Sequence, residues 1–195
     1  MRQQQRTIGI LALQGAFDAH AKTLTALGAT PKLIRHPEEL DGLDGLIMPG
    51  GESTTMLKFL ERENFFDTLG AFVRATPTFG TCAGAILLAS NVEHPAQRSL
   101  GALDITIERN AYGRQNDSTI LIAETSLPGG PLEMVFIRSP RITRTGSAIE
   151  TLATRDGDPT LIRQGHLLAA TFHPELSIDL RVHKYFLDLI RDHVA

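Results

Sequence analysis

The chain has 195 residues, of which 42% are hydrophobic and 21% are charged, and its net charge is -3. This is the composition of an ordinary globular protein, and because basic residues are neither in excess nor clustered, a nucleic-acid-binding protein is disfavoured. The apolar runs are short, so no membrane span is predicted, and the polar first residues predict no signal peptide. A single cysteine excludes an intrachain disulfide, which is typical of a cytoplasmic protein.

Strands and helices alternate along the first half of the chain. Strands are predicted at residues 7–13, 32–35, 45–48 and 77–81, and helices at 17–27, 53–62, 65–75 and 83–89. Short connections between alternating elements indicate βαβ units and a parallel sheet covered by helices. Gly28 is expected to end the first helix, and Ser53 or Thr54 to cap the second.

The second half of the chain is richer in strands. They are predicted at residues 102–108, 120–124, 133–138, 148–154, 160–163 and 167–172. Several have no helix between them, so we expect antiparallel additions to a mixed sheet. Residues 179–194 have apolar side chains at helical spacing and predict a final helix. No repeat or long linker interrupts the chain, which predicts one domain over residues 1–195.

Cys82 lies in Gly80-Thr81-Cys82-Ala83-Gly84, where a predicted strand passes directly into a helix. This is the cysteine counterpart of the G-x-S-x-G nucleophile turn, in which small neighbours let the chain turn tightly. The start of the helix favours a thiolate, and the N–H of Ala83 can donate to a developing oxyanion. An unselected cysteine is usually a small core residue, but this context favours a nucleophile, as it also would in a DJ-1-like protein.

A thiol nucleophile needs a base, and the base needs an acid that orients it. His20, His183 and His193 lie on predicted helices among polar residues and are expected to face solvent. His173 instead follows the last predicted strand, and strand ends are where sites form in α/β sheets. Residues i and i+2 of an extended chain point the same way, so Glu175 can hold the imidazole of His173. Without Cys82, a loop histidine with a solvated glutamate would be the better interpretation.

The segment Pro49-Gly50-Gly51-Glu52-Ser53-Thr54 also joins a strand to a helix. Paired glycines permit close approach of a ligand, and this loop can supply a second oxyanion N–H. It has neither G-x-G-x-x-G spacing nor a following Gly-Lys-Ser/Thr, which argues against a nucleotide site. Arg109 and Arg138 each follow an apolar strand, where an arginine either clamps a carboxylate or forms a structural ion pair. No cluster has metal-ligand spacing, so no metal is predicted.

Together, the Cys82 turn and His173-Pro174-Glu175 resemble the class I, triad-type glutamine amidotransferases. Other segments narrow the resemblance: Leu11-Ala12-Leu13-Gln14-Gly15, the Pro-Gly-Gly-Glu-Ser-Thr loop, residues 108–115 with Asp117 and Ser118, and Phe136-Ile137-Arg138-Ser139-Pro140. The ordered set resembles the glutaminase subunits of pyridoxal 5'-phosphate synthase from about residue 8 to the last helix. The resemblance implies a flavodoxin-like, three-layer α/β fold with a mixed central sheet.

The resemblance also implies roles. Cys82 would attack the side-chain amide of L-glutamine, His173 and Glu175 would complete the triad, and Gly51 and Ala83 would supply the oxyanion-hole N–H groups. The matching substrate-binding positions are Gly51, Glu52, Ser53, Arg109, Ile137 and Arg138. No cofactor is implied for this chain. The implied partner is a (β/α)8-barrel synthase subunit, in a large hetero-oligomer, that combines the ammonia with a pentose phosphate and a triose phosphate.

Three other functions stay open on the sequence alone: a class I glutaminase of a different synthase, a non-catalytic regulatory protein of the same fold, and a free-standing thiol hydrolase or DJ-1-like protein. The intact Cys82, His173 and Glu175 argue against the second, and the segments around Arg109 and Arg138 argue against the third. The paired glycines of the loop motivate a further hypothesis, that glutaminase activity is weak alone and rises on synthase binding.

Overall fold

The computed structural model describes residues 5–62, 64–111 and 118–194. Twelve strands are found in these residues: β1 Thr7–Leu11, β2 Thr30–Ile34, β3 Gly45–Met48, β4 Thr78–Thr81, β5 Ala89–Glu93, β6 Leu103–Glu108, β7 Ser118–Ala123, β8 Leu132–Ile137, β9 Arg141–Thr145, β10 Glu150–Arg155, β11 Asp158–Gln164 and β12 Leu167–Ala170. The α-helices there are α1 Phe17–Ala26, α2 Ser53–Leu60, α3 Phe65–Ala75, α4 Ala83–Leu88 and α5 Arg181–Val194, and short 3₁₀ helices cover Pro37–Leu40 and Pro174–Leu176. Within these ranges no helix is long and apolar enough to cross a membrane.

A seven-stranded mixed sheet forms the centre, in the order β10-β11-β12-β4-β3-β1-β2. The five strands from β12 to β2 are parallel, and β11 and β10 add antiparallel at one edge. The inner strands β3, β4 and β12 are buried along their whole length, as expected for parallel strands covered on both faces. The predicted mixed sheet is therefore confirmed, and the carboxyl ends of β1, β3, β4 and β12 share one edge.

Helices cover both faces of this sheet and give three layers. Alternate residues of β3 show the division, because Leu46 and Met48 pack with α2, α3 and α4 on one face while Ile47 packs with α1 and α5 on the other. The apolar residues of α5 recur at helical spacing, and both Val182 and Phe186 are fully buried. Gly28 follows α1 with a φ of 81°, which confirms its predicted place after the first helix.

Two small sheets flank the central one, and this differs from the prediction that the extra strands would join it. The strands β5, β6 and β9 form one of them, and β7 and β8 form an antiparallel hairpin. Neither β5 nor β9 is predicted from the sequence. β5 follows directly on the short helix α4 without a turn signal, and β9, Arg141–Thr145, carries polar residues at most positions.

Two local predictions are wrong. The residue that caps α2 is Glu52 rather than Ser53 or Thr54, since its carboxylate accepts hydrogen bonds from Thr54 N at 3.1 Å and from Thr54 Oγ1 at 2.8 Å. His20 and His183 do not face solvent. Both are fully buried, because α1 and α5 turn these residues toward the sheet. His193 is exposed as expected.

Candidate active site

Cys82 occupies a sharp turn between β4 and α4. Its φ of 48° and ψ of -104° lie outside the regions that non-glycine residues ordinarily adopt, as at the nucleophile of other strand-to-helix turns. The backbone N–H of Cys82 donates to the carbonyl of Ala170 in β12 at 2.8 Å, which fixes the turn against the neighbouring strand. The side chain is buried but forms part of a cleft wall, so the predicted turn and the access it requires are both present.

The packing of α4 on the sheet depends on glycines in this turn. A Cβ on Gly80 would lie 2.7 Å from the backbone carbon of Gly84, and one on Gly84 would overlap the carbonyl oxygen of Met48 in β3. Such distances leave no room for a side chain at either position. The two glycines of the predicted G-x-C-x-G motif thus permit the close crossing of helix and strands that presents Cys82.

His173 lies three residues beyond the end of β12 and faces Cys82. Its Nδ1 is 2.8 Å from Oε1 of Glu175, and both side chains are at least nine-tenths buried. Burial lowers the pKa of His173, but hydrogen bonds to Cys82 and Glu175 and the charges of these two groups outweigh it and raise the pKa to about 10. At neutral pH the imidazole is therefore protonated, which makes it a partner for a thiolate on Cys82.

The contact between His173 and Glu175 agrees with the prediction, but its backbone geometry does not. Pro174–Leu176 forms a 3₁₀ turn rather than an extended chain. The backbone N–H of His173 donates to the carbonyl of Val135 in β8 at 2.8 Å, which holds the start of this turn. The turn brings the carboxylate of Glu175 within hydrogen-bonding distance of Nδ1 of His173.

The loop after β3 interlocks with the loop after β1. The carbonyl of Gly50 accepts a hydrogen bond from Ala16 N at 3.2 Å, and Glu52 N donates to Oε1 of Gln14 at 2.6 Å. Gly15 has a φ of 98°, and a Cβ there would overlap the Gly50 oxygen, while a Cβ on Gly51 would overlap the Gln14 carboxamide. Because the peptide is trans, the N–H of Gly51 points away from Ala16.

Gly50 also touches the two reactive side chains. A Cβ on this residue would overlap Cε1 of His173, lie 2.9 Å from its Nδ1 and lie 3.3 Å from Cβ of Cys82. The loop therefore forms one wall of the site by backbone contact alone, and this explains the need for a glycine at this position.

Two arginines and a glutamate lie across the cleft. Arg109, which follows β6, is nearly buried, and its Nη2 is 3.3 Å from Oε1 of Glu52. Arg138 follows β8 with a φ of 44°. Partial burial raises the pKa of Glu52, but hydrogen bonds from Thr54 and the positive charges of Arg109 and Arg138 lower it overall. Arg109 therefore forms an ion pair with Glu52 and also faces the cleft. The two roles predicted for an arginine here, a structural ion pair and a clamp for a carboxylate, are not mutually exclusive.

The cleft has a volume of about 300 Å³, which suits a small molecule. Of the predicted site residues, its walls contain the following: Gly51, Glu52, Ser53, Cys82, Arg109, Ile137, Arg138 and His173. Glu175 and Ala83 are buried behind this surface. The cleft also contains residues that are not predicted as site residues: Gln14, Gly15, Ala16, Gly50, Ile86, Asn110, Pro140 and Leu176.

Some of these additional positions had a signal in the sequence. Gln14 and Gly15 lie directly after a predicted strand and within a segment that carries the family resemblance. Because sites form at strand ends in α/β sheets, these two residues could have been predicted as site residues. Residues 112–117, including Asp117, belong to another such segment but lie outside the described residues. Among the side chains that are described, no group of three or more His, Cys, Asp or Glu is arranged to hold a metal ion.

The model of a family described as the SNO glutamine amidotransferase family matches residues 10–192. The chain belongs to the SNO glutamine amidotransferase family. One relative in this family, a pyridoxal 5'-phosphate synthase subunit PdxT from Koribacter versatilis (strain Ellin345), is 58% identical over 185 residues, which cover 95% of this chain and 96% of the relative. A protein of the same name from Solibacter usitatus (strain Ellin6076) is 52% identical, over 93% of this chain and 98% of its own.

Solved structures agree with this family assignment. A crystal structure described as a glutamine amidotransferase superposes with a TM-score of 0.89 at 44% identity and covers 94% of this chain and 98% of that one. A chain in the structure of PurLQS from Thermotoga maritima, at 14% identity and a TM-score of 0.69 over 99% and 100% of the two chains, shares the fold. The predicted class I glutamine amidotransferase fold is therefore confirmed.

Proposed function

We propose that this chain hydrolyses L-glutamine to L-glutamate and ammonia as the glutaminase subunit of a pyridoxal 5'-phosphate synthase, with Cys82, His173 and Glu175 as its triad. The observation that carries the proposal is the line of contacts from Cys82 through His173 to Glu175 at the wall of a cleft of about 300 Å³. The names of the relatives that are about half identical over nearly the whole chain support the same activity.

In the first half-reaction the thiolate of Cys82 attacks the side-chain amide carbon of glutamine, and the carbonyl electron pair moves onto oxygen. We assign the N–H groups that hold this oxyanion to Gly51 and Ala83, and loss of one such donor typically costs about 10²–10³ in rate. The protonated His173 gives its proton to the amide nitrogen, the C–N bond breaks, and ammonia leaves. A γ-glutamyl thioester then remains on Cys82.

In the second half-reaction His173, now neutral, takes a proton from water as the water attacks the thioester. The C–S bond breaks, L-glutamate leaves, and the thiolate and imidazolium are restored. Glu175 keeps its hydrogen bond to Nδ1 of His173 throughout, so Nε2 of the imidazole is the atom that carries the transferred proton.

The substrate-binding residues would recognise the amino-acid end of glutamine. The carboxylate of Glu52 offers a partner for the α-ammonium group, and the guanidinium groups of Arg109 and Arg138 offer partners for the α-carboxylate. Ser53 is held in place, since its Oγ donates to Oε1 of Gln97 at 2.9 Å. Ile137 supplies an apolar wall for the methylene groups.

We further propose that the synthase partner, a (β/α)8 barrel in a hetero-oligomer, docks at the mouth of this cleft. Cross-strand pairing puts Ile120 and Ile122 of β7 on the same side of the hairpin as Ile137 of the cleft, and these side chains are 65%, 75% and 36% exposed. Ile178 is 96% exposed, and Ser177 beside it donates to Glu133 of β8 at 2.6 Å. Contiguous exposed apolar side chains are typical of a partner surface.

A binding experiment tests this docking surface. Ile122→Glu should weaken co-purification with the barrel partner and should lower glutaminase activity measured in its presence. Phe59→Glu is the matched control, since Phe59 is an exposed apolar residue of α2 outside this surface. Equal binding of the Ile122 variant and the wild type would contradict the proposed surface.

The activity is tested with the purified chain alone and together with the barrel partner. Cys82→Ala should abolish ammonia release, and a diazoketone analogue of glutamine should label Cys82, as mass spectrometry would detect. We expect the rate to rise when the synthase is present. Full glutaminase activity in Cys82→Ala would contradict the central proposal, and activation by a different synthase instead would identify a different class I glutaminase. A folded chain that neither hydrolyses nor binds glutamine would indicate a regulatory protein.

The remaining parts of the proposal concern organisation and location. We propose one domain over residues 1–195, no cofactor in this chain, and a cytoplasmic location, as the single cysteine suggests.

A further inference from the structure

A line of buried polar side chains continues behind Glu175, away from the cleft. Nε2 of His20 in α1 lies 3.5 Å from Oε2 of Glu175 and 3.3 Å from Oγ1 of Thr81 at the end of β4. Nδ1 of His20 lies 2.9 Å from Nε2 of His183 in α5. All of these side chains are buried, and Phe79 packs edge-on against both imidazole rings. The triad is thus joined to the helices on one face of the sheet.

The position of the Glu175 carboxylate indicates which ring nitrogens of His20 and His183 carry hydrogen. Oε2 of Glu175 is buried without a hydrogen bond among the described residues, and Nε2 of His20 lies 3.5 Å from it, whereas Oε1 is used by His173. A carboxylate only accepts hydrogen bonds, so an unprotonated Nε2 on His20 would turn a lone pair toward a buried negative charge. The geometry therefore assigns the hydrogen of His20 to Nε2, between Thr81 and Glu175. Nδ1 must then accept, so His183 donates from its own Nε2.

Both histidines are neutral in this arrangement. Burial lowers the pKa of His20 well below 6.5, and repulsion from the positive charge of His173, and from His183 whenever that ring is protonated, lowers it further. Burial alone lowers the pKa of His183 to about 4. No second positive charge therefore competes with His173 for Glu175, and His20 turns a neutral N–H group toward the carboxylate at 3.5 Å rather than a charge.

We propose that His20 is a positioning residue of the Cys82 site, holding Glu175 as an oriented carboxylate toward His173, and that His183 fixes the tautomer of His20. This inference rests on the proposed function for its effect on catalysis, although its structural part does not. Without His20, the second oxygen of Glu175 would lose the N–H group that faces it at 3.5 Å, and the carboxylate would be free to turn. His173 would then lose its oriented acceptor.

The first test uses the unaltered chain. Long-range ¹H–¹⁵N spectra of the histidine rings, with the resonances assigned by substitution, should show His20 and His183 as neutral Nε2–H tautomers between about pH 6 and 8. An Nδ1–H tautomer at His20, or its protonation in this range, would overturn the proposal. This measurement depends on neither a glutaminase assay nor the folding of a variant.

The second test compares two substitutions. His20→Leu removes the donor, and we expect kcat to fall about 10-fold with KM changed less than about threefold, as for other residues that orient a catalytic ligand. His20→Gln retains an amide N–H near the position of Nε2 and should recover most of the rate. His166→Leu is the control, because His166 is a half-buried histidine that contacts the carbonyl of Val73 at the opposite end of β12. It should leave kcat unchanged.

A third measurement reports on the thiol directly. Cys82 is the single cysteine of the chain, so iodoacetamide alkylation followed against pH monitors that thiolate alone. His20→Leu should lower the rate of this alkylation at neutral pH about 10-fold, the size expected from loss of one polar contact to a charged group. His166→Leu should not lower it. A folded His20→Leu variant with wild-type kcat, KM and alkylation profile would overturn the proposal.

The outcomes separate the two proposals. If the chain never hydrolyses glutamine, even with the synthase, the proposed function fails. The tautomers of His20 and His183 and the alkylation of Cys82 would still test the positioning role of His20. If hydrolysis is normal but His20→Leu has no effect, only the positioning role fails. If His20→Leu does not fold, the positioning role is tested by the His20 and His183 tautomers in the unaltered chain and by kcat of His20→Gln.

Discussion

Gly50→Ala provides the sharpest test of the site geometry. The new Cβ would overlap Cε1 of His173 and lie 2.9 Å from its Nδ1, so the imidazole or the loop must move by about 1 Å to restore ordinary carbon contacts. The ring cannot move this far and also keep its hydrogen bonds to Cys82 and Glu175. A displacement of about 1 Å between reacting groups typically costs about 100-fold in rate.

We therefore expect kcat of Gly50→Ala to fall about 100-fold in a coupled glutamate-release assay with the barrel partner present. The free energy of unfolding should fall by about 1–3 kcal/mol, as for other overpacked sites. Gly70→Ala is the matched control, because the nearest atom to its Cβ in α3 is 3.6 Å away, and a helical alanine should stabilise by about 0.5–1 kcal/mol without affecting kcat. A Gly50→Ala enzyme with wild-type kcat would refute this account of the cleft wall.

Three further predictions concern other parts of the site. Arg109→Met should raise KM for glutamine about 10-fold or more with a smaller change in kcat, since it removes a charge-assisted contact, as steady-state kinetics would measure. The pKa of His173 is raised from 6.5 to about 10, so its contribution to stability is complete below pH 6.5 and is lost as the pH rises through about 10. The urea-unfolding free energy of the wild type relative to His173→Gln should fall over that interval, and a constant difference would contradict the raised pKa. Gly84→Ala should destabilise by about 1–3 kcal/mol in urea unfolding, because its Cβ would overlap the backbone oxygen of Met48.

The parts of the fold that the sequence predicts well are those with a strong local signal. The buried parallel strands are short apolar runs, and α5 has apolar residues at helical spacing, so both are recognised without tertiary information. The nucleophile turn is visible as small residues around Cys82 between two such elements. His173 and Glu175 can be paired because they lie two residues apart, although the chain there turns rather than extends.

The predictions that fail depend on tertiary contacts. His20 and His183 are 163 positions apart, and each looks like a surface residue within its own helix. Their burial results from the packing of α1 and α5 on the same face of the sheet, and each satisfies a ring nitrogen of the other there. The prediction of the residue that caps α2 fails for a related reason. Glu52 is positioned by its contact with Arg109 as well as by the helix it precedes.

The loops after β1 and β3 give a physical basis for the expected activation by a synthase. Their contacts, from Ala16 to the Gly50 carbonyl and from Gln14 to the Glu52 N–H, fix the two ends of the segment that contains Gly51. The orientation of the Gly51 N–H is therefore set by the loop after β1 as much as by its own. A partner that shifts either loop would therefore reorient the proposed oxyanion donor, without adding any residue to the reacting centre.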